Sequence, residues 1–232
     1  MSKLDHIVIL TGAGISAESG IQTFRDAGGL WEGHAVEQVA TPEGFAADPV
    51  LVHRFYNLRR AALSTVEPNA AHIALGRLQS ELPGQVTLVT QNVDDLHERG
   101  GALDVIHMHG ELLSAFCTAC DHRWRQTEDL SVETLCLACQ TRGGPRPDIV
   151  WFGEMPYQMD RIERALQSCD LFVSIGTSGA VYPAAGFVQL AHVHRAHTLE
   201  LNLEPSQSSA FFSETRHGPA TELVPEWVDS LI

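Results

Sequence analysis

Five short apolar runs, each closing on Gly, Ser, Thr, Asn or Asp, constrain this chain more than any other feature. Residues 6–10 pass into Thr11-Gly12-Ala13-Gly14, and residues 86–90 into Gln91-Asn92-Val93-Asp94. Residues 105–108 lead to His109-Gly110, and 171–175 to Gly176-Thr177-Ser178. The last run, 198–203, holds Asn202 and is followed by Glu204-Pro205. Stretches of helical period lie between the runs. This rhythm belongs to a parallel sheet covered by helices, where ligands collect beyond the carboxyl ends of the strands. Every polar cluster just named falls at such an end.

Two segments break the rhythm. Residues 31–73 show no core strand but do show a helix: Asp48 offers an N-cap, Pro49 suits the first helical position, and Leu51, Phe55, Leu58 and Ala62 recur at helical spacing. Residues 113–148 carry Cys117-Thr-Ala-Cys120 and Cys136-Leu-Ala-Cys139, with fifteen residues between the two hooks. Four thiolates so spaced complete a tetrahedral structural zinc with no open position. The competing reading is two disulfides or a redox-active pair. Disulfides are rare in the cytosol, and a thioredoxin-type motif is one pair rather than two. One zinc would substitute for the core that this segment cannot build by itself. The fifth cysteine, Cys169, reads as a small buried hydrophobe. The expected fold class is α/β, with a Rossmann-like parallel-sheet domain formed by residues 1–30, 74–112 and 149–232. The helical insertion 31–73 and the zinc-ribbon insertion 113–148 are expected to form a small domain, with a cleft between it and the large one.

Charge limits the partners. Fifteen basic against 29 acidic side chains leave a net charge of −14 on 232 residues, which argues against a nucleic-acid backbone as the main partner. Within 113–148 four arginines meet five acids, and a zinc tetrathiolate adds negative charge. No stretch approaches the roughly 18 apolar residues of a membrane span. The run Ile7-Val8-Ile9-Leu10 is too short for a signal peptide and is soon followed by glycine. A cytoplasmic address without membrane attachment is expected.

Gly12-Ala13-Gly14-Ile15-Ser16-Ala17 fits the dinucleotide fingerprint in its alanine-ended form, directly after a strand. The first glycine permits the tight turn and the second lets backbone N–H groups approach a pyrophosphate. The acidic strand end expected about 20 residues later is missing, and Asn202 and Glu204 could serve the ribose instead. His109 is a candidate general base near neutral pH, or else a neutral imidazole bonded to the backbone. Alternation along residues 106–109 places His107 and His109 on one side and Met108 on the other. Asn92 and Asp94 suit a carboxamide, but equally a helix cap. On the helix after Asp48, Val52, Tyr56, Arg59 and Leu63 share one stripe, while Arg60 falls off it and is expected in solvent. Taken alone, Arg59 reads as a side chain snorkelling to water rather than one binding an anion.

Together these residues resemble a sirtuin, an NAD-dependent protein lysine deacylase, nearly end to end. Gly12-Ala13-Gly14-Ile15-Ser16 with Gly20-Ile21 and Phe24-Arg25 is similar to the family's first signature. Thr90-Gln91-Asn92-Val93-Asp94, His109-Gly110-Glu111, the cysteine hooks, Phe152-Gly153-Glu154, Gly176-Thr177-Ser178 and Asn202-Leu203-Glu204 follow in order. The small size and the Tyr56/Arg59 pair resemble the bacterial branch and members that remove acidic acyl groups.

The resemblance implies a Rossmann-like domain, a zinc-bearing small domain, and a cleft for NAD and an acyl-lysine peptide. It implies that Gly12, Ala13, Gly14, Ile15, Ser16 and Ala17, with Phe24, Arg25 and Trp31, hold NAD around its pyrophosphate. Gln91, Asn92, Val93 and Asp94 would line the nicotinamide pocket. Gly176, Thr177, Ser178, Asn202, Leu203, Glu204 and Ala220 would hold the adenosine half. Phe152, Gly153, Glu154 and Val181 would bracket the substrate as an added strand. The implied chemistry has the acyl oxygen expel nicotinamide, with His109 as base toward a ribose hydroxyl. The products are nicotinamide, free lysine and O-acyl-ADP-ribose. In this setting Tyr56 and Arg59 are expected to reach the distal carboxylate of succinyl- or malonyl-lysine. Three rivals use the same residues: a mono-ADP-ribosyltransferase, a non-catalytic NAD-sensing or zinc-ribbon binding module, and an ordinary dehydrogenase. The missing ribose acid counts against the last. The near absence of tails beyond the core suggests broad substrate use.

Overall fold

The computed structural model describes residues 5–22, 30–31 and 33–232. Its main sheet has six strands: β1 (His6–Thr11), β4 (Gln85–Thr90), β5 (Val105–His107), β9 (Leu171–Ile175), β10 (His197–Asn202) and β11 (Glu214–His217). They lie in the order β11-β10-β9-β1-β4-β5, all parallel. The chain leaves β1 toward β4 on one side and later returns to β9 on the other. That switch opens the crevice in which such sheets hold ligands. The edge strand β11 is not among the five apolar runs, because it is short, polar and only half-buried.

Period-two alternation divides the core into two layers. Ile7 and Ile9 pack with Leu88, Val173 and Leu201 beneath α5 (Ala70–Glu81) and α9 (Ala220–Asp229). Val8 and Leu10 pack with Val89, Ile106 and Phe172 beneath α7 (Met159–Ser168) and α8 (Phe187–Val193). With both faces covered, β1 and β9 are apolar at nearly every position.

A hairpin of β2 (Leu30–Trp31) and β3 (His34–Ala35) precedes α2 (Val36–Val39), α3 (Pro42–Ala47) and α4 (Pro49–Leu63). α4 starts as its sequence predicts, with the Asp48 carboxylate accepting from the Leu51 N–H at 2.9 Å and Pro49 in the first turn. Its buried face keeps Val52, Tyr56 and Leu63 of the expected stripe but is turned toward Phe55 and Arg60 and away from Leu58. Val52, Phe55, Tyr56, Arg60 and Leu63 are buried, whereas Leu58 is 64% exposed. The rotation follows from what the helix meets: Leu112, Ile149 and Trp151 form a third core with it.

Arg60 is therefore not in solvent. Its Nε donates to the Leu112 carbonyl at 3.1 Å and its guanidinium to Asn57 Oδ1 at 2.8 Å. Leu112 lies where the pairing between β6 (Gly110–Cys117) and β8 (Pro145–Ile149) is irregular, so its carbonyl needs a donor from outside the ladder. β6, β8 and β7 (Arg123–Arg125) make a three-stranded antiparallel ribbon. The ribbon does have apolar support, because Leu112 and Ile149 enter the third core.

Candidate active site and metal centre

The loops beyond β1, β4, β9 and β10 meet along one edge of the sheet. The Gly12 N–H donates to the Ile175 carbonyl at 3.0 Å and the Gly14 N–H to that of Gly176 at 2.9 Å. A Cβ at Gly12 would stand 2.8 Å from the Gly176 oxygen, and one at Gly14 2.7 Å from the Gly176 Cα. Gly176 itself has φ +62°. Backbone thus packs on backbone where the loop after β1 enters the short α1 (Gly14–Ala17), an approach only glycine permits. Asn202 donates its amide to the Thr177 carbonyl at 2.8 Å, joining the loops after β9 and β10. Among the described residues, no strand of the main sheet with an acidic end stands between β1 and β4.

Ser16 is the junction beneath this edge. Its hydroxyl donates to the Asp94 carboxylate at 3.2 Å and accepts from the Asn92 amide at 3.1 Å. The same amide donates to the Gly12 carbonyl at 3.2 Å. The Asn69 N–H donates to His72 Nδ1 at 3.3 Å, so His72 turns its Nε2–H toward Ser16 Oγ, also at 3.3 Å. Burial drives His72 down to about 4, which keeps that ring neutral. Burial likewise raises the Asp94 carboxyl, against its bonds from the Leu96 N–H and Ser16. Deeper still, Thr11 donates to Thr90 at 2.8 Å and contacts His97 Nε2 at 2.9 Å. The sequence reading missed His72, Thr11 and His97, and only the Asn69-x-x-His72 helix start hints at one of them.

His109 sits in the turn after β5, half-buried. Its Nδ1–H donates to the Gln91 carbonyl at 3.1 Å, which leaves the Nε2 lone pair for chemistry. Burial lowers its pKa below the ordinary 6.5, with the Gln91 carbonyl acting in the opposite sense. The ring therefore stays neutral as pH falls through 6.5. A pH profile of kcat/KM is expected to place the acid limb below 6.5, and a midpoint above 6.5 would contradict this geometry. His107 does not share that position. The strand ends at His107, so alternation stops there, and the His107 ring turns to Glu98 at 2.7 Å.

The other expected site residues fall out unevenly. Ile15 is buried in the core and Val93 packs on the third core, so each offers backbone to the edge. Ala13, Gln91 and Ser178 are half-buried, while Ala17, Leu203 and Glu204 are exposed. Ala220 opens α9, beside Thr221, whose N–H donates to Glu18 at 3.1 Å. Phe24 and Arg25 lie outside the described residues, and of Trp31 only its place in β2 is described. Phe152 and Val181 are exposed, and the Phe152 N–H is bonded to the Ala40 carbonyl at 2.9 Å. The Glu154 carboxylate accepts from Arg146 at 2.8 and 2.9 Å and from the Trp151 N–H at 2.8 Å, so what it presents outward is backbone.

Tyr56 is fully buried and accepts a hydrogen bond from Trp151 Nε1 at 2.9 Å. Burial holds its phenol well above the usual range, against the Trp151 hydrogen bond and the positive charge of Arg59. Arg59 is half-buried, its guanidinium carbon 3.4 Å above the Phe55 ring, with one N–H on the Phe55 carbonyl at 3.2 Å. It lies along the protein rather than reaching out to water. Arg146, a residue the sequence presented only as one charge among several, stacks 3.4 Å over Trp151 and so fixes the indole that holds Tyr56.

The four cysteines converge, with all sulfurs within 4.8 Å of one another. Cys117–Cys139 and Cys120–Cys136 are each 3.7 Å apart. A zinc tetrathiolate with Zn–S near 2.3 Å needs sulfur–sulfur edges of about 3.8 Å, whereas a disulfide needs about 2.05 Å. Backbone N–H groups of Ala119 and Ala138 point at Cys117 and Cys136 sulfur at 3.4 Å, the pattern that supports a metal-bound thiolate. Cys117, Cys120, Cys136 and Cys139 thus fit one closed, structural zinc. Among the described residues, no helix is long and apolar enough to cross a membrane.

Comparison with known proteins agrees with this arrangement. A sequence profile of the Sir2 family matches residues 12–183. An NAD-dependent protein deacylase of Vibrio parahaemolyticus is 60% identical over 229 residues, covering 98% of this chain and 95% of its own. A solved Sir2 homologue in complex with NAD superposes with a TM-score of 0.89 at 36% identity, over 99% of this chain and 90% of its own. A Sir2 protein bound to acetylated peptide superposes at 0.84 with 26% identity, over 98% of this chain and 94% of its own.

Proposed function

The chain belongs to the Sir2 family, the sirtuins, and from that premise we propose that it removes succinyl, malonyl and acetyl groups from lysine side chains of other proteins. It is an NAD-dependent protein deacylase, as its close relatives are named. NAD supplies an electrophilic ribose carbon with a cationic leaving group. The acyl group passes to ADP-ribose and one water is consumed, giving nicotinamide, O-acyl-ADP-ribose and free lysine. The glycine cradle and Ser16 bind the diphosphate side, and Asn92 and Asp94 take the carboxamide. Nε2 of His109 receives the proton of a ribose hydroxyl. Phe152, Gly153 and Val181 offer a peptide the edge on which to lie as an added strand. Four reduced thiols on zinc suit the cytoplasm, where we place the protein.

The reading that the acyl group can be acidic is carried by one observation. Tyr56 and Arg59 stand on the same side of α4, the phenol buried in the third core and the half-buried guanidinium laid over Phe55 of that core. A charged hydrogen bond contributes on the order of 1.5–3 kcal/mol, about ten- to a hundredfold in rate. Arg59→Met is therefore expected to lower kcat/KM for a succinyl-lysine peptide by about that factor, with the acetyl-lysine peptide changed less than about threefold. Equal losses on both peptides, read by mass spectrometry, would remove the carboxylate role from Arg59. ADP-ribose left stably on the peptide would instead point to transfer of that group.

A further inference from the structure

On the flank of the turn that carries His109, three side chains that deacylation does not use converge. His107 is buried, while Glu98 on α6 (Leu96–Arg99) and Glu111 on β6 are exposed. His107 Nε2 lies 2.7 Å from a Glu98 oxygen and 3.8 Å from a Glu111 oxygen. Its other nitrogen, Nδ1, lies 3.2 Å from the Asn92 carbonyl. A carbonyl can only accept, so Nδ1 carries a proton, and when Nε2 gives up the proton it shares with Glu98 its lone pair faces the two carboxylates. Burial opposes the charged ring, but Glu98 and Glu111 together hold its pKa above 6.5, so a cation bound between the two carboxylates takes the place of that proton. Arg99, next to Glu98 in the chain, does not relieve them: it binds Glu67 at 2.8 Å and Asp95 at 3.7 Å. Among the described residues, neither Glu98 nor Glu111 pairs with any lysine or arginine.

We propose that Glu98, His107 and Glu111 form a second metal site, separate from the four cysteines, that takes a divalent first-row cation. The donor set of one imidazole and two carboxylates suits Zn2+, Co2+ or Mn2+. The Nδ1–H bond to a backbone carbonyl is the outer-shell contact that orients metal-binding histidines. Bond lengths near 2.1 Å place ligand atoms about 3.0–3.4 Å apart. The observed 2.7 and 3.8 Å bracket that span, and both glutamates are on the surface and can turn. One divalent ion neutralises the two carboxylates. Because the ring hangs from Asn92, a bound ion would stiffen the strand end that faces nicotinamide.

Titration of Co2+ into protein whose cysteines already hold zinc, near neutral pH, tests this. One further Co2+ per chain is expected, with weak visible bands and without the intense thiolate charge-transfer absorption. His107→Gln, and separately the double variant Glu98→Gln with Glu111→Gln, are expected to weaken this binding at least about tenfold. The double variant changes only surface side chains, so it decides the matter if His107→Gln lowers the zinc content or the Tm. Two results would overturn the proposal. One is no cobalt bound outside the cysteine centre, which leaves His107 as a protonated partner of Glu98. The other is unchanged affinity in both variants, which assigns the ion to other surface histidines.

Discussion

His109→Tyr is expected to lower turnover by about 10²- to 10⁴-fold, the usual worth of a positioned general base, while NAD binding changes only a few-fold. The asymmetry follows from geometry. The cradle of Gly12, Gly14 and Gly176 is backbone against backbone, and Ser16, Asn92 and Asp94 are tied to it independently of His109. The His109 ring is held by a hydrogen bond to the Gln91 carbonyl, and its other nitrogen is the one proposed as the base. Titration of NAD by calorimetry alongside steady-state kinetics would separate the two effects. Parallel loss of binding and turnover would mean that the ring shapes the pocket rather than serving as its base.

Cys136→Ala is expected to release the zinc and abolish activity that added zinc does not restore. Cys136 is fully buried between the hooks, and its sulfur accepts from the N–H groups of Ala138 and Cys139 at 3.4 and 3.5 Å. Structural zinc contributes roughly 10 kcal/mol or more of folding free energy, comparable to the entire stability of a typical domain. The third core would survive in part, but Leu112 and Ile149 in it lie on the strands that the zinc closes. Thermal melts followed by circular dichroism, with metal content measured on the same samples, would check this. A zinc-free variant with the parent Tm and activity would mean that the third core alone holds the ribbon.

The five core strands and the zinc hooks were legible because their signals are local. An apolar run ending in Gly or Asp, and a Cys-x-x-Cys pair, carry their meaning within a few residues. What was missed is non-local. Ser16 meets His72 and Asp94, which lie 56 and 78 positions away, and nothing in any of the three segments announces the other two. Arg60 looked solvated because the stripe was judged from α4 alone, whereas the face that becomes buried is set by Leu112 and Trp151. His107 and His109 were placed on one side because alternation was carried past the point where β5 ends. Arg146 looked like one surface charge among several, and only the fold brings Trp151 and Glu154 around it.

Asn57 gives both ends of its amide to one residue far along the chain. Its Nδ2 donates to the Leu130 carbonyl at 2.8 Å and its Oδ1 accepts from the Leu130 N–H at 3.0 Å. The helix bearing Tyr56 and Arg59 is thereby latched to the loop between the two cysteine hooks. Anyone grafting this helix onto a relative would have to graft that loop with it. The two stretches act as one mechanical unit although 73 positions separate the latch from its catch.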